Sequence, residues 1–185
     1  MDRNRKIDCK KVFIFHRIIN LIRRKIYTFG YRYLLKNKTL QVGFKTRICL
    51  NDIQIGKNVI IGNDVSIGTE LDSGKLILED NVVIDNNCIL DCTGELIIKK
   101  NTHISGNVTI YTHSHGLDPH NKPIPNKLEI GKKCWIGKET AILQGIEKIG
   151  DNCIFGFRSL VTKNCEANTI YAGNPAKKIR HREDV

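Results

Sequence analysis

The sequence predicts an all-β protein, a coil of short strands that closes into a triangular prism. Two observations carry this. A branched or aromatic apolar residue returns every six positions: Ile55, Ile61 and Ile67; Leu78, Ile84 and Leu90; Ile98, Ile104 and Ile110; Ile130, Ile136 and Ile142; Ile149, Phe155 and Val161. Between them Gly, Asn and Asp recur where such a chain must bend, as in Ile55-Gly-Lys-Asn-Val59 and Ile61-Gly-Asn-Asp-Val65, because these residues favour turns. A period of six is not helical, since a helical stripe advances by 3.6 residues, and it is too short for ordinary hairpin strands with their turns. Three sides make a coil of about 18 residues, each coil stabilised mainly by its neighbours.

The chain divides into a basic, partly helical arm (1–47), the coil (48–172) with an extruded loop (111–127), and a C-terminal tail (173–185). The arm holds 14 of the 30 Lys and Arg against Asp2 and Asp8, so the net charge of +11 belongs to it. Over residues 11–29, Phe15, Ile18, Ile19, Ile22, Ile26 and Phe29 recur at helical steps while Arg17, Arg23 and Arg24 fall elsewhere on the wheel. Gly30 is the expected stop. The apolar stripe is expected to pack on the coil or on a neighbouring subunit and cover an open end; the other reading is peripheral contact with an anionic membrane. Basic charge without a recognition motif or stacking aromatics excludes a nucleic-acid partner.

No apolar run reaches the length of a transmembrane helix, and nothing like a signal peptide follows the basic start Met1–Lys6. A cytoplasmic protein is expected, with the inner membrane face as the place of any peripheral contact. Seven scattered cysteines form neither a disulfide framework nor a zinc clip. Cys88, Cys134 and Cys153 fall where neighbouring repeats place Val or Thr, so they read as small buried apolar residues.

The loop breaks the six-residue beat and contains His113, His115 and His120 with three of the four prolines. A polar loop leaving a regular scaffold is a natural place for chemistry. Its segment Tyr111-Thr-His-Ser-His-Gly-Leu-Asp118 resembles the Tyr-Thr-x-x-His-x-Leu-Asp stretch of the maltose and galactoside acetyltransferases. Cys134-Trp-Ile-Gly137, Leu160-Val-Thr-Lys163 and Ala172-Gly-Asn-Pro-Ala-Lys-Lys-Ile-Arg180 follow in the order expected of that branch. Over about residues 50–182 the chain thus resembles the hexapeptide-repeat acyltransferases.

That resemblance implies a left-handed parallel β-helix, acetyl-CoA as acetyl donor, no metal, and a homotrimer with active sites between subunits. Phe155 and Trp135 would then find cover from a neighbour. It places the general base at His115, with His113 as the alternative; a neutral imidazole suits removal of a hydroxyl proton near pH 7. Asp85, Asn86 and Asn87 match the position of an acceptor-holding Asn, and Trp135 joins them as a substrate-binding candidate. Gly137, Lys138, Phe157 and Thr162 would meet the pantetheine arm, the Lys138 amide facing the developing oxyanion. Lys163, Lys177 and Arg180 would meet the nucleotide phosphates, and Asn174 and Pro175 belong to the same coenzyme-binding tail. The chain departs from its relatives at Phe157-Arg158, where they carry Ala-Gly.

With the arm in place of the relatives' longer N-terminal domain, the expected acceptor is a sugar hydroxyl of a surface polysaccharide or its precursor. Antibiotic acetylation of the chloramphenicol or streptogramin type and amino-sugar N-acetylation are the alternatives. A zinc reading, with His115 and His120 spaced as in gamma-class carbonic anhydrases, meets Glu79 where a third histidine is needed. A non-enzymatic scaffold docking through its arm is the reading from a different class.

Overall fold

The computed structural model describes residues 9–183, and the six-residue beat becomes three stacked faces. The first face carries seven parallel strands, from Gln41–Val42 through Ile60–Ile61, Val83–Ile84, His103–Ile104, Trp135–Ile136 and Ile154–Phe155 to Thr169–Ala172. The second runs from Arg47–Cys49 through Ser66–Gly68, Ile89–Asp91, Thr109–Ile110 and Ala141–Ile142 to Leu160–Val161. The third holds Asp52–Ile55, Lys75–Leu78, Glu95–Ile98, Leu128–Ile130 and Lys148–Ile149. Repeat residues pair with their own kind one coil on, as in Ile61 with Ile84, Ile84 with Ile104 and Ile104 with Ile136. Each column of branched side chains is therefore a continuous buried seam, from Val42 to Phe155 on the first face.

The bends are made by left-handed residues six apart. Asn81 and Asn87, Asn101 and Asn107, and Asn58 and Asp64 all have positive φ, a conformation that Asn and Asp tolerate better than other side chains. Their amides form a ladder between coils, Asn58 to Asn81 at 3.2 Å and Asn81 to Asn101 at 3.0 Å. Cys88, Cys134 and Cys153 are buried as expected. Each thiol donates to a carbonyl of the next coil, at 3.2, 3.2 and 3.0 Å respectively, and burial pushes the Cys88 thiol up to about 11.

The arm differs from expectation in three ways. The helix runs Cys9–Leu34 and passes through Gly30. After Leu34 it is closed instead by Lys36, whose φ is 50°, as Asn37 N–H donates to the Arg32 carbonyl at 3.1 Å. Glycine only weakens a helix, and tertiary contacts of Tyr31 and Leu35 with the core carry it past that point. The coil begins at Gln41, which pairs with Ile60, so the first strand, Gln41–Val42, lies inside residues 1–47.

Third, the side of the helix that meets the coil is not the apolar stripe. Thr28 exchanges hydrogen bonds with both the N–H and the carbonyl of Val42 at 3.0 Å. Arg32 Nε donates to the Leu40 carbonyl at 2.7 Å, and the Tyr31 hydroxyl donates to the Thr46 carbonyl at 3.1 Å. Together they satisfy the free edge of the first coil, the covering role expected of the arm. Ile18, Ile22, Ile26 and Phe29 face outward. The charges on Met1–Lys6 lie outside the described residues, and of the Phe15 side chain nothing is described.

Two further points bear on the site. Phe155 is fully covered within its own chain and stacks on Tyr171 with ring centroids 5.4 Å apart, so it needs no neighbour; Trp135 is half exposed. The C-terminal tail folds back as strand Lys177–His181, antiparallel to Thr169–Ala172. Among the described residues no helix is long and apolar enough to cross a membrane.

Candidate active site

The corner between the second and third faces gathers chemistry from three successive coils. Glu70 follows strand Ser66–Gly68, Asp91 ends strand Ile89–Asp91, and Thr112 and His113 follow strand Thr109–Ile110. Backbone stacking fixes their order, with Cys92 N–H donating to the Gly68 carbonyl at 2.7 Å and Thr112 N–H donating to Asp91 Oδ2 at 2.8 Å. Here the chain leaves the coil. It forms a small hairpin, His113–Ser114 against Ile124–Pro125, and rejoins at Leu128. Gly94 sits where the loop departs and returns; a Cβ there would collide with the Asn126 and Thr112 carbonyls, so the glycine permits the extrusion.

Asp91 is buried beneath the loop. It accepts hydrogen bonds from the Thr93 hydroxyl, the Thr112 backbone and hydroxyl, and His113 Nδ1 at 2.8 Å. Burial pushes its carboxyl up, but these donors outweigh that cost and hold it below the usual carboxylate range. An ionised carboxylate only accepts, so His113 carries its hydrogen on Nδ1. His115 is held by the loop itself: Nδ1 lies 2.6 Å from the Asn121 carbonyl, again a pure acceptor, and Asn121 Nδ2 donates back to the His115 carbonyl at 3.2 Å. Asp118 shapes the turn between them by accepting from His120 N–H at 2.9 Å.

Both rings thus turn Nε2 to the same point. The two Nε2 atoms are 3.2 Å apart, and the Glu70 carboxylate places Oε1 3.4 Å from that of His113 and Oε2 3.4 Å from that of His115. His113 is nearly buried, its side chain 9 % exposed, whereas that of His115 is 26 % exposed. His120 lies exposed on the loop, and Glu79 occupies another corner, where it accepts from Lys100 N–H.

The remaining sequence candidates lie elsewhere. Asp85, Asn86 and Asn87 form the corner before strand Ile89–Asp91, at the opposite end of the second face. Asp85 binds His103 Nε2 at 3.0 Å, and Asn86 Oδ1 accepts from Asn63 N–H at 2.7 Å. Trp135 stands beside them on the first face, its indole N–H donating to Ser105 Oγ at 2.9 Å. Gly137–Lys138, Phe157–Arg158 and Asn174–Pro175 stack at that same corner, linked by Arg158 N–H to the Lys138 carbonyl and Leu160 N–H to the Gly173 carbonyl, both 3.0 Å. Arg158 lies over the exposed Phe157 ring at 4.8 Å. Thr162 and Lys163 follow strand Leu160–Val161 on the histidine side, and Lys177 and Arg180 line the exposed tail strand. One chain therefore carries the histidines on one corner and most of the expected coenzyme and acceptor residues on the other.

Sequence reasoning missed Asp91, Glu70 and Asn121. Asp91 precedes His113 by 22 residues, a spacing that no fixed coil length readable in the sequence supplies.

No family model matches the chain. Over 53 residues it is 53 % identical to a chloramphenicol acetyltransferase of Klebsiella aerogenes, which is 29 % of this chain and 25 % of that protein. Over 93 residues it is 35 % identical to WcaF of Escherichia coli K12, named as a colanic acid biosynthesis acetyltransferase, half of each chain. The chain thus spans between a quarter and half of these relatives' length. Among solved structures, an N-acyltransferase from Bacillus cereus, AntD, in complex with dTDP and coenzyme A, superposes with a TM-score of 0.70 at 22 % identity, over 80 % of this chain and 83 % of that one. A maltose O-acetyltransferase from Clostridium difficile superposes with a TM-score of 0.57 at 25 % identity, over 90 % and 89 %. In its six-residue repeat and its parallel β-solenoid, the chain is similar to the hexapeptide-repeat acetyltransferases.

Proposed function

We propose that the protein is an acetyl-CoA-dependent O-acetyltransferase acting on a sugar hydroxyl, of a surface polysaccharide or its precursor, with the loop histidines supplying the base. The observation that carries this is the locking of both Nδ1 hydrogens, which leaves two Nε2 lone pairs converging at the exposed corner. His115, the more accessible ring, takes the acceptor's proton as the hydroxyl oxygen attacks the thioester carbonyl. The C–S bond then breaks, coenzyme A leaves as the thiol with that proton, and the sugar carries an acetyl ester. His113 is buried against Asp91 and packs edge-on against His115, with ring centroids 5.0 Å apart. The buried carboxylate also favours a second reading, in which His113 is the base, since Asp91 would stabilise the imidazolium.

The acceptor class rests on the likeness to WcaF and to maltose O-acetyltransferase. The chloramphenicol acetyltransferase likeness keeps antibiotics among the acceptors to be tried, and an AntD complex with dTDP-4-amino-4,6-dideoxyglucose keeps amino sugars. Because the histidine corner and the Lys138–Phe157 corner lie at opposite ends of the second face, we assign the complete site to the junction of two chains in a homotrimer. Light scattering should give a trimer mass; a monomer at micromolar concentration would remove the basis for a shared site. Coenzyme A should raise the melting temperature, which a mere scaffold would not show.

His115→Ala should retain coenzyme binding while acetyl transfer to a panel of polysaccharide repeats, sugar nucleotides and chloramphenicol falls about 10²–10⁴-fold. His113→Ala should be milder; the reverse order assigns the base to His113. The outward apolar stripe and the charge of the arm are consistent with loose attachment to an anionic membrane face, each Lys or Arg contributing roughly 1 kcal/mol near the surface. Salt-sensitive binding to anionic vesicles, lost on deletion of residues 1–35, is expected; equal partitioning of both forms leaves the arm as a cap only.

A further inference from the structure

In their neutral forms His113 and His115 present unprotonated Nε2 atoms to each other, because each Nδ1 hydrogen is committed to an acceptor. Two lone pairs 3.2 Å apart, with Glu70 Oε1 3.4 Å from His113 Nε2 and Glu70 Oε2 3.4 Å from His115 Nε2, repel one another unless positive charge lies between them. A tetrahedral cation with ligand bonds of about 2.0–2.1 Å has ligand atoms roughly 3.3–3.4 Å apart. The Nε2–Nε2 separation is close to such an edge, and one ligand atom from each of Glu70, His113 and His115 lies within 4.8 Å of the others, so a small rotation of the exposed Glu70 side chain completes the third vertex.

We infer that Glu70, His113 and His115 form a binding site for a divalent transition metal of the zinc type, a His₂Glu set whose fourth ligand is exchangeable. The surroundings agree. Histidines that bind zinc commonly donate their other ring N–H to a carboxylate or a backbone carbonyl, which fixes the tautomer and raises ligand basicity. Asp91 does this for His113 and the Asn121 carbonyl does it for His115. Two imidazoles and one carboxylate favour zinc, cobalt or nickel over the oxygen-seeking magnesium and calcium. The Glu70 and Asp91 carboxylates together balance a dipositive ion.

Metal binding needs nothing from the acetyl-transfer reading. Its consequence rests on that reading: a metal bonded to both Nε2 atoms leaves no lone pair to accept a proton, so the filled site is an inhibited one.

Full-length protein stripped with a chelator and titrated with Co²⁺ tests the site without reference to activity. One Co²⁺ per chain should bind, with the visible bands of a tetrahedral N/O site and no thiolate charge-transfer band, and Zn²⁺ should displace it. Glu70→Gln, on an exposed side chain, and His115→Ala should each weaken binding at least 10-fold while the melting temperature of the metal-free protein holds. Asp91→Asn should weaken it about 10–100-fold. No cobalt bands, a thiolate band, or affinity unchanged in both Glu70→Gln and His115→Ala would overturn the inference. In an acetyl-transfer assay, Zn²⁺ should inhibit and a chelator restore the rate. Transfer insensitive to Zn²⁺, with no cobalt bound, sinks the metal site alone. Cobalt bound through these residues with no acceptor acetylated keeps the site and sinks the transferase.

Discussion

Asp91 shows how a single carboxylate can order a reactive corner. Its oxygens are engaged by Thr93, Thr112 and His113, so it stays ionised and dictates which His113 nitrogen carries the hydrogen. In Asp91→Asn the side-chain amide offers its own N–H, and His113 is free to carry its hydrogen on Nε2, aimed at His115. Acetyl transfer should then fall, but by no more than in His113→Ala, because Asp91 acts only through that ring. Unfolding in urea should report a loss of about 1–3 kcal/mol, the cost of leaving buried donors poorly matched. A loss of transfer greater than that of His113→Ala would mean that Asp91 touches the reacting groups directly. The histidines were legible in the sequence because they cluster in a loop that breaks an otherwise regular beat. Asp91 and Glu70 were not, because they read as ordinary bend residues and finding them requires the length of a coil. That length is uneven here: Ile89 pairs with Ser66 before it and Thr109 after it, so the ideal of about 18 residues points to the wrong partners.

At the scale of elements, the helix docks by hydrogen bonding rather than by its apolar stripe. Thr28 serves both backbone groups of Val42 at the free edge of the first coil. Thr28→Val preserves shape and removes both bonds, so it should cost about 1–3 kcal/mol; urea unfolding with no loss would mean that the helix does not secure this edge. The helical period of the arm was plain in the sequence, and so was the prism. The docking face was not. Periodicity locates an apolar stripe but does not say what covers it, and here the edge's need for hydrogen bonds decided which side turned inward. Gly30 misled for a related reason, since the contacts of Tyr31 and Leu35 lie beyond it and hold the helix together.

Over the whole molecule, stability is spread along the seams rather than concentrated in one core. Ile104 is fully buried between Ile84 and Ile136, and Ile104→Ala should cost about 2–5 kcal/mol as measured by chemical denaturation. Acid should weaken the coil through its inter-coil carboxylates. The Lys127 ammonium, 3.0 Å from Glu95, holds that carboxyl below its usual range. Partial burial pushes the Asp151 carboxyl up, but the Lys132 N–H and ammonium outweigh this and leave it lowered. A carboxylate depressed on folding contributes stability above its unfolded value near 4, and that contribution is lost as pH falls through the lower folded value. Melting temperature should therefore drop as pH falls below about 4, and less steeply in Lys127→Ala; identical slopes would remove Glu95 from the account.

The in-register stacking has a consequence for how the corner could be rebuilt. Because Ser66 and Ile89 occupy the same address one level apart, excising residues 66–88 joins Val65 to Ile89 without changing the phase of anything that follows. The shortened chain should still wind, and it should still carry Asp91 under His113. Of the histidine corner it would lack only Glu70, although Asp85, Asn86 and Asn87 of the opposite corner would go with it. In a molecule laid out like shelving, one shelf can be lifted out whole, and what it held becomes separable from what holds the rest upright.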